Sequence, residues 1–286
     1  MTTTMKSFDT KVSPGDRRYL VIGATGLLGR HVVRELAGRQ WPVRAMRQWD
    51  APEEGLDFPE VDIVVGDIFD PNSLAQAVAG VNAVIYCAAP KPGPERRDIL
   101  RKSVEAVRRV LAACREYDVE QMVLTSSAST IGRGAPGTRL NENHFYLPGS
   151  SDDPFTEAKY AVELECYRYV ADGFWVVMLN PSLLVGPGVD LTAYACLDVD
   201  DAQPLNVIDV REAARIHAEA LSKGRSGARY LLGGENTTAE QLFDGWPRRG
   251  RNDERPREAY LVESGQWLDC SLAREELGLR ISTDGR

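Results

Sequence analysis

Three glycines stand at a spacing that suits the binding of a dinucleotide. Residues 20–29 read Leu-Val-Ile-Gly-Ala-Thr-Gly-Leu-Leu-Gly, a short apolar run followed by Gly23, Gly26 and Gly29. Gly23 permits a tight turn, Gly26 lets the backbone approach a diphosphate, and Gly29 lets a helix pack closely on a strand. The N–H groups that begin such a helix attract phosphate. The cofactor-binding residues predicted from this motif are Gly23, Thr25, Gly26, Leu27, Leu28 and Gly29.

The elements that must position this turn alternate between strand and helix along the chain. Apolar runs predict strands at 19–23, 42–47, 61–65, 83–87, 121–125 and 175–179. Amphipathic segments predict helices at 27–37, 71–79, 95–117 and 155–171. Strands that are apolar throughout and alternate with helices are typical of a parallel sheet covered on both faces. The sequence therefore predicts an α/β fold with a doubly wound parallel sheet of the Rossmann type.

Strands and helices no longer alternate regularly after Asn180, which predicts that a different structural unit begins there. We expect a flexible segment at 1–16, a dinucleotide-binding domain at 17–180 and a smaller portion at 181–286. The last portion contains a predicted strand at 206–210, a helix at 212–221 and a strand at 229–232. We interpret it as a trimmed substrate-binding subdomain that is interleaved with the core.

Composition excludes several classes of function. The net charge of the 286 residues is −8, which disfavours nucleic acid or an anionic membrane as a partner. The five cysteines are odd in number and lack metal-binding spacing, so we expect reduced thiols and no metal site. No apolar run has the length of a membrane span or of a signal peptide. These features predict a cytoplasmic protein that acts on a small molecule.

Further motifs follow the glycine turn in a characteristic order. They are Gly66-Asp67-Ile68, Cys87-Ala88-Ala89, Thr125-Ser126-Ser127-Ala128 and Asn180-Pro181-Ser182. With these motifs the chain resembles an extended short-chain dehydrogenase/reductase of the NAD-dependent epimerase/dehydratase branch. The resemblance is nearest to the hopanoid-associated epimerase and dihydroflavonol-reductase-like members. It covers about residues 18–236 and implies a nicotinamide dinucleotide as cofactor.

The resemblance implies a role for each motif. Asp67 and Ile68 would hold the adenine, and Cys87, Ala88 and Ala89 would lie beneath the nicotinamide ribose. Pro181 and Ser182 would stand beside the nicotinamide. Ser127 would be the catalytic serine, while Ser126 is expected to point into the sheet.

The catalytic signature of the family is Tyr-x-x-x-Lys, and this chain departs from it. The segment reads Phe155-Thr-Glu-Ala-Lys159, so the lysine is present and the tyrosine position holds phenylalanine. In the family the tyrosine hydroxyl exchanges a proton with the substrate oxygen, and the lysine lowers the pKa of that hydroxyl and binds the ribose. Because general acid–base catalysis contributes about 10²–10⁴-fold, we expect impaired carbonyl reduction unless another group substitutes.

Three interpretations of Phe155 stand open at this point. Tyr146 or His144, in the preceding loop, could act as a substitute acid. The chain could instead have abandoned redox chemistry, as a non-redox enzyme or as a catalytically silent nucleotide-binding regulator. It could also be an engineered Tyr→Phe variant of an active enzyme.

The residues near the end of the second strand bear on the choice of cofactor. An acidic residue there would bind the ribose 2′-hydroxyl of NAD, whereas this chain has Arg44 and Arg47. Arginine suits a 2′-phosphate, so we expect NADP in preference to NAD. The family resemblance also implies a homodimer formed through the helices at 95–117 and 155–171, with Ile99, Val110 and Val162 among the candidate contacts.

Overall fold

A seven-stranded parallel sheet forms the centre of the molecule, in the order β10-β7-β5-β4-β1-β2-β3. The structure is a computed structural model that describes residues 14–89, 96–135, 138–150, 153–195, 197, 199–244, 261 and 265–281. The central strands are β1 (Tyr19–Ile22), β2 (Val43–Arg47), β3 (Val61–Val65), β4 (Ala83–Tyr86), β5 (Gln121–Thr125), β7 (Trp175–Pro181) and β10 (Arg229–Leu232). Every neighbouring pair is parallel. The predicted α/β fold with a doubly wound parallel sheet is therefore confirmed.

Helices cover both faces of this sheet. Their bounds are α1 (Leu27–Gly38), α2 (Pro71–Val78), α3 (Arg96–Glu116), α4 (Pro154–Ala171), α5 (Thr192–Ala195), α6 (Val210–Lys223), α7 (Ala239–Leu242) and α8 (Ser271–Leu277). The first hydrophobic cluster joins α1, α6 and α8 to one face, and the second joins α2, α3 and α4 to the other. Alternate side chains of each strand enter opposite clusters, as strand geometry requires.

The chain reverses its direction of winding between β1 and β4. Strands β2 and β3 extend the sheet on one side of β1, whereas β4, β5, β7 and β10 extend it on the other. In open sheets of this kind, ligands bind beyond the carboxyl ends of the strands at such a switch point. The glycine turn follows β1 and therefore lies at this place.

The portion after Asn180 contributes to two structures. Strand β10 and helix α6 complete the central layers, while β8 (Leu183–Val185), β9 (Pro204–Asp209) and β11 (Glu235–Thr238) form a small mixed sheet. A third pairing joins β6 (Arg139–Leu140) to β12 (Trp267–Leu268). The expected flexible segment at 1–16 falls outside the described residues, except that Pro14–Asp16 form a short 3-10 helix.

The side chains named as candidate dimer contacts pack inside the protomer. Ile99 and Val162 are 5% exposed and Val110 is fully buried, because each faces the sheet or the neighbouring helix. These three side chains therefore belong to the packing of the protomer itself, and the homodimer stays a prediction. Among the described residues, no helix combines the length and apolar character needed to cross a membrane.

Helix α6 carries a fully buried histidine beneath the end of β5. His217 Nδ1 lies 2.7 Å from the carbonyl oxygen of Ala213, and Nε2 lies 2.8 Å from Thr125 Oγ1. A carbonyl only accepts, so Nδ1–H donates to it and Nε2 accepts the hydroxyl hydrogen of Thr125. Burial is the main cause that lowers the pKa of His217 to about 4. This histidine is thus a satisfied structural group, held neutral.

We expect His217 to make the protein less stable as the pH falls from about 6.5 to about 4. Between these pH values, His217 is protonated in the unfolded chain but neutral in the folded chain. The free energy of unfolding therefore decreases by about 1.4 kcal/mol for each unit by which the pH falls. Urea unfolding at several pH values measures this slope. His217→Gln, which cannot titrate, should show a shallower slope; parallel slopes for the two proteins would contradict the prediction.

Candidate functional site

The glycine turn presents bare backbone to the crevice beyond β1. Gly23 has φ +83°, and Gly26 N donates to Gly23 O at 3.1 Å to close the turn. A side chain at Gly29 would overlap the Gly23 carbonyl oxygen, so this glycine permits the close approach of α1 to the turn. The N-cap Gly26 offers no side-chain cap, and the first turn of α1 has no acidic residue. The first N–H groups of α1 thus suit a phosphate.

The turn after β4 meets the glycine turn directly. A Cβ placed on Gly23 would stand 2.6 Å from the backbone nitrogen of Ala88, so only glycine lets the two turns approach. Cys87 is partly buried in this turn, and its Sγ lies 3.2 Å from Thr125 Oγ1. Burial raises the pKa of the Cys87 thiol to about 11, which keeps the thiol protonated. Ala89 is exposed at the end of the turn.

The segment after β7 contains a buried hydroxyl that lacks a partner. Ser182 is 2% exposed, and its Oγ has no hydrogen-bond partner among the residues that the structure describes. Its backbone N–H donates to Leu232 O at 2.9 Å, which fixes the segment that begins at Pro181. Buried hydroxyls normally have partners, so this one fits a site that a polar ligand completes. Together with the glycine turn, it shows that the residues present suit a nicotinamide dinucleotide.

The other residues predicted to bind the cofactor have local partners. Leu28 is buried in the first hydrophobic cluster, and Leu27 packs against that cluster from a partly buried position. Ile68 is also partly buried, but it packs against the second cluster on the other face of the sheet. Thr25 is partly exposed in the turn. Asp67 is exposed and accepts a hydrogen bond from Phe69 N at 2.9 Å, so it also shapes the turn after β3.

The two arginines of β2, which were expected to face the cofactor, have partners within the protein. Arg44 binds Asp62 at 2.8 Å and donates to the carbonyl groups of Gln76, Ala77 and Ala79 at the end of α2. Its position three residues before the end of the strand directs it to the helix layer, so the structure does not bring Arg44 to the site. Arg47 ends β2, and its guanidinium holds the following loop through Ala51 O and Glu53.

Phe155 and Lys159 line one cleft, beyond the carboxyl ends of β4 and β5. The described residues around this cleft include Ala88 and Thr125 on the strand side. Lys159 Nζ donates to the carbonyl oxygen of Thr125 at 2.9 Å. Asp153 caps α4 through the N–H groups of its first turn, which fixes the helix that carries both side chains. The cleft thus brings together the phenylalanine and the lysine of the motif.

Ser127 begins a 3-10 helix, Ala128–Ile131, immediately after β5. Its Oγ accepts hydrogen bonds from the backbone N–H of Ser129 at 3.2 Å and from Ser129 Oγ at 3.0 Å. Its carbonyl oxygen accepts from Thr130 Oγ1 at 2.9 Å and from Asn180 Nδ2 at 3.1 Å. The adjacent Ser126 turns inward and donates to Glu163 of α4, as expected from its position.

The sequence analysis missed a buried ion pair behind this serine. Glu163 is 1% exposed and accepts hydrogen bonds from Thr130 Oγ1 at 2.8 Å and Asn180 Nδ2 at 2.6 Å, besides Ser126. Its second oxygen pairs with Arg229 at 3.3 Å, and Arg229 also donates to the carbonyl of His144 at 3.0 Å. One signal was available, because Glu163 occupies a core-facing position of α4, four residues after Lys159.

Tyr146 does not join the catalytic residues. It is buried, and its hydroxyl donates to Glu157 at 2.8 Å. Glu157 and Phe155 are two residues apart on α4, so their side chains point in different directions. The expectation that Tyr146 replaces the missing tyrosine hydroxyl is therefore not supported by its position. The described residues contain no group of three His, Cys, Asp or Glu that could hold a metal ion.

Comparisons with known proteins identify the family of this chain. The model of the NAD dependent epimerase/dehydratase family matches residues 19–197. A Synechocystis protein provisionally named dihydroflavonol 4-reductase is 30% identical, covering 79% of this chain and 70% of the relative. Sterol demethylase protein B of Methylococcus capsulatus is 28% identical, covering 91% of this chain and 92% of the relative.

A solved structure shares the whole architecture. The crystal structure of gox2253 superimposes with a TM-score of 0.80 at 25% identity, covering 94% of this chain and 95% of that one. The segment matched by the family model, residues 19–197, includes the glycine turn, the strand that precedes Ser127 and the helix that carries Lys159. With the family match over most of the chain, these findings show that this protein belongs to the NAD-dependent epimerase/dehydratase family of extended short-chain dehydrogenases/reductases.

Proposed function

We propose that this protein is an NADP(H)-dependent oxidoreductase that interconverts a carbonyl and a hydroxyl group on a small apolar metabolite. The observation that carries the proposal is the cleft shared by Phe155, Lys159, Ala88 and Thr125 at the carboxyl edge of the sheet. A bound nicotinamide supplies or accepts the hydride. The protein supplies the positions and the electrostatics.

The residues that we assign to catalysis have separate roles. The ammonium of Lys159, anchored on the Thr125 carbonyl at 2.9 Å, binds ribose hydroxyls and contributes positive charge near the reacting oxygen. We assign the donation of a hydrogen bond to the substrate oxygen to Ser127, which follows Thr125 by two residues but is fully buried and does not line the cleft among the described residues. Phe155 keeps an aromatic wall but offers no proton, so water must complete the proton transfer. We expect turnover to be slow for this reason.

The loop beside the serine favours an apolar substrate. Tyr146 N donates to Thr130 O at 2.9 Å, which ties the loop to the 3-10 helix after Ser127. Next to Tyr146, Phe145 is 58% exposed and Leu147 is 71% exposed. The names of two relatives, a dihydroflavonol reductase and a sterol demethylase component, refer to compounds with apolar rings. We infer a ring-containing metabolite in preference to a nucleotide sugar.

Phe155→Tyr should increase carbonyl reduction with NADPH by about 10²-fold or more. The new hydroxyl would stand beside Lys159, which favours the ionised phenol and so restores general acid–base catalysis. Initial rates on a panel of cyclic ketones, followed by the absorbance of NADPH, measure the change.

Phe58→Tyr is the matched control, because it adds the same hydroxyl at a partly buried position just before β3, at the opposite edge of the sheet from the cleft, and should leave the rate unchanged. Phe155→Tyr combined with Lys159→Met should lose the gain. If Phe155→Tyr binds NADPH and the rate stays flat on every ketone and alcohol, the pocket is not built for carbonyl chemistry. The non-redox or regulatory interpretation would then replace the proposal.

We expect the protein to bind NADPH about fivefold more tightly than NADH. The last residue of β2 is the partly buried Arg47 rather than an acid, and a guanidinium that is shared with Glu53 contributes about 1 kcal/mol to the binding of a 2′-phosphate. Titration of intrinsic fluorescence with both cofactors gives the ratio. Arg47→Met should abolish the preference, whereas Arg44→Met should lower stability and keep it; equal affinities in the wild type would refute the expectation.

We also propose a homodimer through the outer faces of α3 and α4. The support is the exposure of two apolar side chains there, Leu100 at 37% and Leu164 at 46%. Light scattering at micromolar concentration should give twice the protomer mass, and Leu164→Glu should shift it toward the monomer because a charge would enter an apolar contact. Leu147→Glu, on a separate loop, is the control. A monomeric wild type would exclude this dimer.

A further inference from the structure

Arg30, in the first turn of α1, lies beside the predicted diphosphate position. A methyl group added at Gly188 would overlap Nη2 of Arg30 and stand 3.6 Å from Leu27 Cδ1. The guanidinium is therefore level with Leu27, the first residue of the helix. Side chains on a helix lean toward its N-terminus, which explains this reach.

Two loops flank the Arg30 side chain. A methyl group at Gly55, in the loop after β2, would stand 3.7 Å from Arg30 Cδ. On the other side lies Gly188, and His31 Nε2 lies 3.1 Å from the carbonyl oxygen of Pro187, so this second loop is held against α1. Arg30 thus spans the gap between the loop on the adenosine side and the loop after β8.

The Arg30 guanidinium makes no hydrogen bond and no ion pair within the described part of the chain. The two arginines of β2 differ from Arg30 in this respect: Arg44 pairs with Asp62, and Arg47 pairs with Glu53. Asp209, whose carboxylate faces Gly186, is paired with Arg211 at 2.6 Å. Arginine presents five donors in a rigid fork that matches phosphate geometry, so this group is available for an anion.

Resting on the proposed dinucleotide function, we infer that Arg30 binds the diphosphate of the cofactor together with the first N–H groups of α1. The diphosphate joins the adenosine half to the nicotinamide half, and Arg30 lies between the loops that border those halves. The 2′-phosphate of NADP is attached to the adenosine ribose, beyond the end of β2. Arg30 is therefore a determinant of affinity for NADPH and NADH alike.

Titration calorimetry with NADPH, NADH and ADP on the full chain tests this inference. Arg30→Met and Arg30→Gln should raise the dissociation constants of all three ligands by a similar factor of about 10 or more, which is the typical effect of losing a charge-assisted hydrogen bond. Arg30→Lys should recover part of the loss, because it keeps the charge but not the fork. Circular dichroism confirms that each variant is folded.

Arg34→Met is the matched control, since Arg34 lies one turn along α1, is exposed, and stacks over Phe58 at 6.0 Å. It should change each affinity by less than about twofold. A loss confined to NADPH would assign Arg30 to the 2′-phosphate and overturn the inference, as would unchanged affinities in both Arg30 variants. If the wild type binds neither dinucleotide, the proposed function fails as well. If it binds both without hydride transfer in Phe155→Tyr, only the proposed chemistry fails.

Discussion

One buried carboxylate organises the carboxyl edge of the sheet. Glu163 collects hydrogen bonds from Ser126 after β5, Thr130 in the 3-10 helix and Asn180 in β7, and pairs with Arg229 in β10. Removing such a charge from water costs several kcal/mol, and only a full set of partners offsets that cost. The four elements must therefore assemble together. Thr130 and Asn180 also contact the carbonyl oxygen of Ser127. The position of the segment that carries Ser127 therefore depends on the ion pair of Glu163 and Arg229.

The parts that local physics determines were predictable. Apolar runs predicted the strands of the central sheet, and Asp70, a residue type that favours the N-cap, caps α2 by accepting from Asn72 N at 3.1 Å. The spacing of Gly23, Gly26 and Gly29 predicted a tight turn and a closely packed helix, and the structure has both, because the left-handed backbone at Gly23 and the close approach of Gly29 to Gly23 are set within a few residues. The inward direction of Ser126 followed from strand alternation alone. In each case, residues close in sequence decide the outcome.

The parts decided by distant partners were not predictable. Arg44 was expected at the cofactor, but three carbonyl groups at the end of α2 and one carboxylate across the sheet attract it more strongly. Tyr146 was expected near Lys159, but Glu157 on another side of α4 takes its hydroxyl. Long side chains choose among partners that only the tertiary structure brings near. The same reason hides the pairing of Glu163 with Arg229, which are 66 residues apart.

The late position of β10 in the chain has a consequence for biosynthesis. Strand β7 pairs with β5 on one side and with β10 on the other. Strand β10 comes later in the chain, after β8, β9 and α6. A nascent chain that has emerged only as far as β7 carries an open hydrogen-bonding edge and a bare apolar face. Contacts of high sequence separation also form slowly. The glycine turn thus leaves the ribosome well before β10, the strand that completes the sheet supporting it.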